Sequence, residues 1–269
     1  MEKITGQAAM SRIITKIEGS TVTQKHDFLV IEKPLTLYLN DQEWITLLTS
    51  PGAEIHLAVG FIYSEGLIRK FSDLESVELN LDADKVEITT KNRIDLQTKL
   101  KGKRTLTTGC GKGTVFYDVL DSLTAKPINH HYQIDAASIL QRSTEFNKLS
   151  LLFRETGGVH GCALCNKDSI VLFHEDIGRH NALDKVIGQA LADGISMEDK
   201  WILTTGRLSS EIVIKAGNHQ IGMLASRSAA TELAVELANQ LNMTLIGFAR
   251  GNRMNVYSGS QRVFIAEKK

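Results

Sequence analysis

The apolar positions of this chain change rhythm near its middle. In the first half they come in short runs: residues 28–31 (FLVI) and 35–39 (LTLYL) read as strands around Pro34, and Asn40-Asp41 supplies a turn. After Pro51, the positions Ile55, Ala58, Val59 and Ile62 recur at helical spacing, and Gly66 marks the helix end. Residues 77–81 and 86–89 alternate like half-buried strands joined by Asp82-Ala83-Asp84.

In the second half, strands and helices take turns. SIVLFHEDI, WILTTG, IGMLAS and MTLIGFAR read as strands, and NALDKVIGQALADG, SSEIVIKAGN and ATELAVELANQLN as helices. Asp135 is a plausible N-cap for a further helix, ASILQRSTEFN. A proline and polar residues at AKPINHHYQID suggest a boundary. The expectation is an α+β domain over residues 1–126 and an α/β domain over 127–269, with right-handed crossovers and a mostly parallel sheet.

Such sheets bind ligands beyond the carboxyl ends of their strands. That rule selects His174-Glu175-Asp176, Thr204 to Arg207, Ser226-Arg227-Ser228 and Ala249-Arg250-Gly251 as one rim. Arg179, Arg207, Arg227, Arg250 and Arg253 all follow strands, and several of these turns run into helix starts expected at Asn181, Ser209 and Ser228. Helix N-termini and arginine both hold anions, so the set points to a ligand with several phosphates. The alternatives are solvated loop arginines, or arginines paired with acids such as Glu175, Asp176 and Glu211. His180 and Asp184, four apart, would share a helix face, either for proton transfer and ring recognition or simply to fix the turn.

Composition narrows the classes. Over 269 residues, Lys+Arg and Asp+Glu balance at 31 each, so no global field argues for nucleic acid, and anion recognition must be local. No apolar run approaches the roughly 18 residues of a membrane span, and the N-terminus lacks a signal-peptide core. Three cysteines form no disulfide framework, so a cytoplasmic protein is the default.

Two of those cysteines, Cys162 and Cys165, form a C-x-x-C with His160 just before it. A metal-dependent deaminase or hydrolase could use these three as ligands, but no H-x-E accompanies them, and two thiols packed in a core would read the same way. The third, Cys110, sits in TTGCGKGT among Gly109, Gly111 and Gly113. Lys112, basic residues between 99 and 104 and a following helical segment would favour its thiolate.

Several stretches together, VLFHEDIGRHNALDKVIG, TTGRLSSEIVIKA, LIGFARGNRMNVYSG, EKPLTLYLN, SPGAEIHLAVGFIYSEGLI and GVHGCAL, closely resemble the formate dehydrogenase accessory sulfurtransferase family (FdhD). The resemblance implies a homodimeric cytoplasmic sulfurtransferase with a cytidine-deaminase-like α/β domain. It implies a sulfur carrier that accepts persulfide sulfur from a cysteine desulfurase and passes it to the bis(molybdopterin guanine dinucleotide) molybdenum cofactor of a formate dehydrogenase catalytic subunit. By position, Cys110 matches the persulfide cysteine, and Phe248, Ala249, Arg250, Gly251, Asn252 and Arg253 match the cofactor-contacting segment, where GDP would also fit. Arg207 would hold phosphate, and His180 or Asp184 would touch the pterin or guanine. Many members carry a second loop cysteine where this chain has Gly113, so sulfur carriage here would use one thiol. A non-catalytic chaperone that only escorts the cofactor is the remaining alternative.

Overall fold

The computed structural model describes residues 8–93, 126–129 and 132–266. Cys110, Lys112, the basic residues between 99 and 104 and the helical segment expected over 115–123 lie outside the described residues.

The chain opens with a long hairpin, β1 (Ala9–Glu18) and β2 (Thr21–Val30), where the sequence pattern suggested only residues 28–31. The four-stranded sheet that follows contains β3 (Lys33–Leu39), β4 (Gln42–Thr49), β5 (Leu74–Asn80) and β6 (Lys85–Thr90) in the order β4-β3-β6-β5. Asn40 and Asp41 both adopt positive φ, which suits the tight turn between β3 and β4. Helix α1 (Glu54–Ser64) packs across this sheet through Leu57, Ala58 and Ile62, and Gly66 (φ 69) follows its end as expected.

The larger sheet runs β13-β12-β11-β10-β8-β9, from β8 (His160–Cys165), β9 (Ile170–Asp176), β10 (Trp201–Thr204), β11 (Met223–Ser226), β12 (Thr244–Arg250) and β13 (Arg253–Ser258). Short β7 (Ile134–Asp135) and β14 (Val263–Phe264) pair beside it. Helices α4 (Arg179–Ala192), α5 (Ser210–Asn218) and α6 (Glu232–Gln240) cover one face, packing Leu183, Val213 and Leu237 against Leu164, Ile202 and Leu224. On the other face α2 (Ala136–Leu149) buries Ile139 and Phe146 against Trp201, Leu203 and Ile246; α3 (Leu151–Thr156) follows it.

The α/β expectation is met, but the sheet is mixed rather than mostly parallel. Only β10–β11 and β11–β12 run parallel, whereas β8–β9, β8–β10 and β12–β13 are antiparallel. Parallel neighbours need a long crossover, which α5 and α6 supply. The short links from β8 to β9 and from β12 to β13 close hairpins instead. Helix starts also differ from expectation: Gly178 and Thr231, not Asn181 and Ser228, occupy the N-cap positions of α4 and α6, while Ser209 occupies that of α5 as expected. Asp135 holds the N-cap position of α2, but its carboxylate accepts from the Ala266 N–H at 3.2 Å.

The two sheets are joined by a close crossing of α1 and α4. A Cβ on Gly60 would overlap the carbonyl of Asp184, and one on Gly188 would overlap the carbonyl of His56 and stand 2.6 Å from the Gly60 nitrogen. Below this crossing, buried Asp184 accepts from Lys215 at 2.6 Å and from the Ser64 hydroxyl at 2.8 Å. The Ser64 oxygen lies 3.3 Å from His219 Nε2, and Tyr63 stacks on the His219 ring. Burial, then the Lys215 charge, pushes the His219 pKa down to about 3. The neutral ring therefore stabilises the fold above its unfolded value of ~6.5, and that contribution is lost as pH falls from there toward 3. Over this window His219→Gln is expected to flatten unfolding free energy against pH by up to ~1.4 kcal/mol per pH unit, read from urea titrations; an unchanged slope would remove His219 as the cause.

Candidate anion-binding rim

The ends of β8, β9, β10, β11 and β12 meet at one edge of the larger sheet, with the N-termini of α4 and α5 beside them. Side-chain hydroxyls tie these turns together. Thr204 Oγ1 donates to the Gly161 carbonyl at 3.0 Å, and Ser226 Oγ to the Gly206 carbonyl at 2.6 Å. The freed amides turn inward, Gly206 N–H to Thr204 Oγ1 at 3.2 Å and Ser228 N–H to Ser226 Oγ at 2.9 Å. The loops carrying Arg207 and Arg227 are thereby fixed.

One half of the rim collects His160, Arg179, His180 and Arg207. His160 Nδ1 lies 3.1 Å from Thr205 Oγ1, which also accepts the Gly161 N–H. Burial, and then the charges of Arg179, His180 and Arg207, hold the His160 ring below its ordinary pKa, so it is neutral near pH 7. The side chain of Arg179 lies along Gly206, where any Cβ would stand 2.8 Å from its own Cβ. His180 Nε2 is 2.9 Å from Glu211 Oε2. Ser209, at the N-cap of α5, has a buried hydroxyl with no hydrogen-bond partner among the described residues, which leaves that helix start open to an acceptor.

The other half is built on Arg227, Phe248, Arg250 and Arg253. A β-bulge between Gly247 and Arg250 puts Phe248 at φ 54, its N–H donating to the Ser228 carbonyl at 3.0 Å. Non-glycine residues rarely hold that conformation, and strain of this kind gathers at functional sites. The Arg250 guanidinium lies 5.8 Å from the Phe248 ring centre. Ala249 is buried, its carbonyl held by the Ser143 hydroxyl at 2.5 Å, while Arg250, Gly251, Asn252 and Arg253 are exposed around the β12–β13 turn. Burial and then the Arg250 charge lower the Arg227 pKa.

Acids that could have neutralised the rim are committed elsewhere. Glu175 accepts from the Leu152 and Phe153 amides at 3.2 Å each, capping α3. Asp176 is fully buried and accepts from Lys185 at 2.7 Å, from Thr49 Oγ1, from the Gly178 N–H at 2.8 Å and from Asn181 Nδ2 at 3.0 Å. Glu211 faces His180. Among the described residues no carboxylate lies within 4.0 Å of Arg207, Arg227, Arg250 or Arg253. Clustered cations with no carboxylate beside Arg207, Arg227, Arg250 and Arg253 among the described residues would suit an external anion.

Several expected site residues do not join the rim. His174 turns to Gln189, at 2.7 Å, and to the His56 ring. Asp184 is buried beneath the α1–α4 crossing with Lys215 and Ser64, so it cannot touch a bound ring. The C-x-x-C pair is divided by the sheet itself: Cys162 packs with the α4–α6 side and Cys165 with the α2 side. Both are free, and burial raises both thiol pKa values. Residues on opposite faces of a strand cannot ligate one ion. Among the described residues no group of three His, Cys, Asp or Glu is placed to hold a metal. What the sequence missed is the company of His160: Thr205 and Arg207 come from the turn after β10, whose antiparallel pairing with β8 was not legible.

A covered α/β sheet with a cationic, hydroxyl-braced rim at its strand ends is an α/β arrangement of the kind suited to an anion. Residues 30–264 match the model of the FdhD/NarQ family, and the chain belongs to that family. It is 41% identical to the sulfur carrier protein FdhD of Listeria monocytogenes over 252 residues, covering 93% of this chain and 97% of that protein. With the sulfur carrier protein FdhD of Bacillus subtilis it shares 37% identity over 252 residues, covering 94% and 96%. The fold is that of a Desulfotalea psychrophila crystal structure described as a formate dehydrogenase accessory protein, with TM-score 0.79, 24% identity and coverage of 96% of this chain and all of the other. None of the helices among the described residues is long and apolar enough to cross a membrane.

Proposed function

We propose that this protein is a cytoplasmic sulfur carrier acting as a sulfurtransferase. Cys110 takes the outer sulfur of a cysteine desulfurase persulfide and delivers it to a bis(molybdopterin guanine dinucleotide) cofactor, the substrate, destined for a formate dehydrogenase catalytic subunit. The carrying observation is that Arg207, Arg227, Arg250 and Arg253 meet no carboxylate among the described residues, a fit for the several phosphates of two guanine dinucleotides. The names of the relatives support sulfur carriage. In the first transfer the Cys110 thiolate attacks the outer sulfur of the donor persulfide. The S–S bond breaks, the donor cysteine leaves as thiolate, and Cys110 holds the persulfide. The rim arginines bind and orient the phosphates, Phe248 with Arg250 offers an apolar and cationic edge to the guanine, and the rings of His160 and His180 offer hydrogen bonds.

GDP is the direct probe of this reading. Arg250→Ala and Arg253→Ala are each expected to weaken its binding about tenfold, as loss of a charge-assisted hydrogen bond would, with a shallower salt dependence in calorimetry. Unchanged affinity in both variants would move the phosphates off this rim. A cofactor-escorting chaperone is the second reading, favoured only if nucleotide binds while Cys110 gains no sulfur.

A further inference from the structure

We propose that Ser143 is a positioning residue: through the Ala249 carbonyl it holds the β12 bulge so that Arg250 and Arg227 grip one phosphate together. The proposal rests on the reading of the rim as a phosphate site. It adds to that site a residue from α2, on the other face of the larger sheet, that is itself buried away from any ligand.

The buried side of α2 consists of Ile139, Arg142, Ser143 and Phe146. Ile139 and Phe146 pack in the same apolar cluster as Ala249, and Ser143 between them is 1% exposed. A hydroxyl at such a place must find a partner, and a helical serine ordinarily turns back to the carbonyl four residues before it. Ser143 has one O–H to donate, and it goes to the Ala249 carbonyl at 2.5 Å. Serine is also a weaker helix former than alanine, so α2 itself gains nothing from it.

The bond falls where β12 most needs support. Its register with β13 passes from Gly247–Asn255 to Arg250–Arg253, which leaves Phe248 and Ala249 outside the ladder. The Phe248 N–H donates to the Ser228 carbonyl at 3.0 Å, and Ser143 takes up the carbonyl of the next residue. Two consecutive residues of the bulge are thus pinned, and Arg250 leaves it in a set direction.

Ser143 reaches the second arginine as well. Its backbone carbonyl lies 3.5 Å from Arg227 Nη1. A single residue of α2 therefore meets both the peptide just before Arg250 and the guanidinium of Arg227. These two cations stand close enough for the Arg250 charge, after burial, to lower the Arg227 pKa. Like charges part unless the backbone holds them, and an anion between them turns their repulsion into shared attraction. A clamp held ready in this way binds without having to order its arms first.

Calorimetry of GDP binding to the full chain tests this, with the melting midpoint of each variant as the fold check. Ser143→Thr and Ser143→Val match in shape and differ in the hydroxyl. Ser143→Thr is expected to bind GDP about fivefold more tightly than Ser143→Val, as one buried hydrogen bond would give, and Ser143→Ala to fall with Ser143→Val. Because the hydroxyl acts through Arg250, Ser143→Ala combined with Arg250→Ala is expected to bind no more weakly than Arg250→Ala alone, whereas a merely structural loss would add. Should Ser143→Ala not fold, the Ser143→Thr and Ser143→Val pair decides alone. Equal affinities in that pair, or additive losses in the double variant, would overturn the role of Ser143 while leaving the rim as the phosphate site. Wild-type affinity in both Arg250→Ala and Arg253→Ala would overturn the two readings together.

Discussion

Incubated with a cysteine desulfurase and cysteine, the wild-type chain is expected to gain the mass of one sulfur atom, and Cys110→Ala none. The contrast should be nearly complete because the other two thiols cannot stand in. Cys162 and Cys165 are buried in the sheet, and burial raises both their pKa values, so neither supplies a thiolate near neutral pH. Gly113 adds a second expectation. With glycine at 113 and no second cysteine near Cys110 in the sequence, the accepted sulfur is expected to stay as a persulfide instead of closing a disulfide with a neighbouring thiol. Intact-mass measurement before and after thiol reduction reads both. Equal sulfur uptake by Cys110→Ala, or its loss on Cys162→Ala, would sink the mechanism. The fold at Cys110→Ala is checked by its thermal midpoint, expected to match wild type.

The largest loss of stability is expected from Gly188→Ala. Alanine is the better helix former by roughly 1 kcal/mol, and on an isolated helix the change would stabilise. Here the added methyl meets the backbone of α1, at the His56 carbonyl and the Gly60 amide, and neither can swing aside. α1 and α4 must separate, which opens the packing of Leu183 and Val186 and disturbs the hydrogen bond from Ser64 to Asp184. Overpacking typically costs ~1–3 kcal/mol, and backbone contact places this case at the upper end even after the helix gain. Urea unfolding should show it, and Gly194→Ala, at a left-handed position in open space, should cost less. A Gly188→Ala protein as stable as wild type would mean that the helices can part freely.

How far the sequence foretold this depended on the kind of signal. The second-half strands and helices were legible because each carries its own apolar period: SIVLFHEDI, WILTTG, IGMLAS and MTLIGFAR all emerge as strands, and three helices fall close to where the pattern set them. β8 was not, since Gly161, Cys162 and Ala163 are small residues chosen for tight packing, and Gly161 meets the ring of Phe146. β1 and most of β2 escaped for the opposite reason, because along this exposed hairpin polar residues such as Arg12, Thr15, Lys16, Gln24 and Lys25 interrupt the apolar runs that mark a strand. At the site, the arginines were legible one by one from their places after strands. That Arg207, Arg227, Arg250 and Arg253 meet no carboxylate among the described residues was not, because it depends on Glu175 turning to α3 and Asp176 to Lys185, choices made by tertiary packing.

The buried carboxylate of Asp176 also says something about the order in which this protein is made. Its hydrogen bond from Thr49 spans 127 positions of chain, and that from Ser64 to Asp184 spans 120. Emerging from the ribosome first, the four-stranded sheet and α1 present Gly60 and Ser64 to solvent until α4 has been synthesised. Contacts this distant in sequence form late and slowly. The N-terminal half must therefore wait, with one helix face unfinished, for a partner that the ribosome has yet to write.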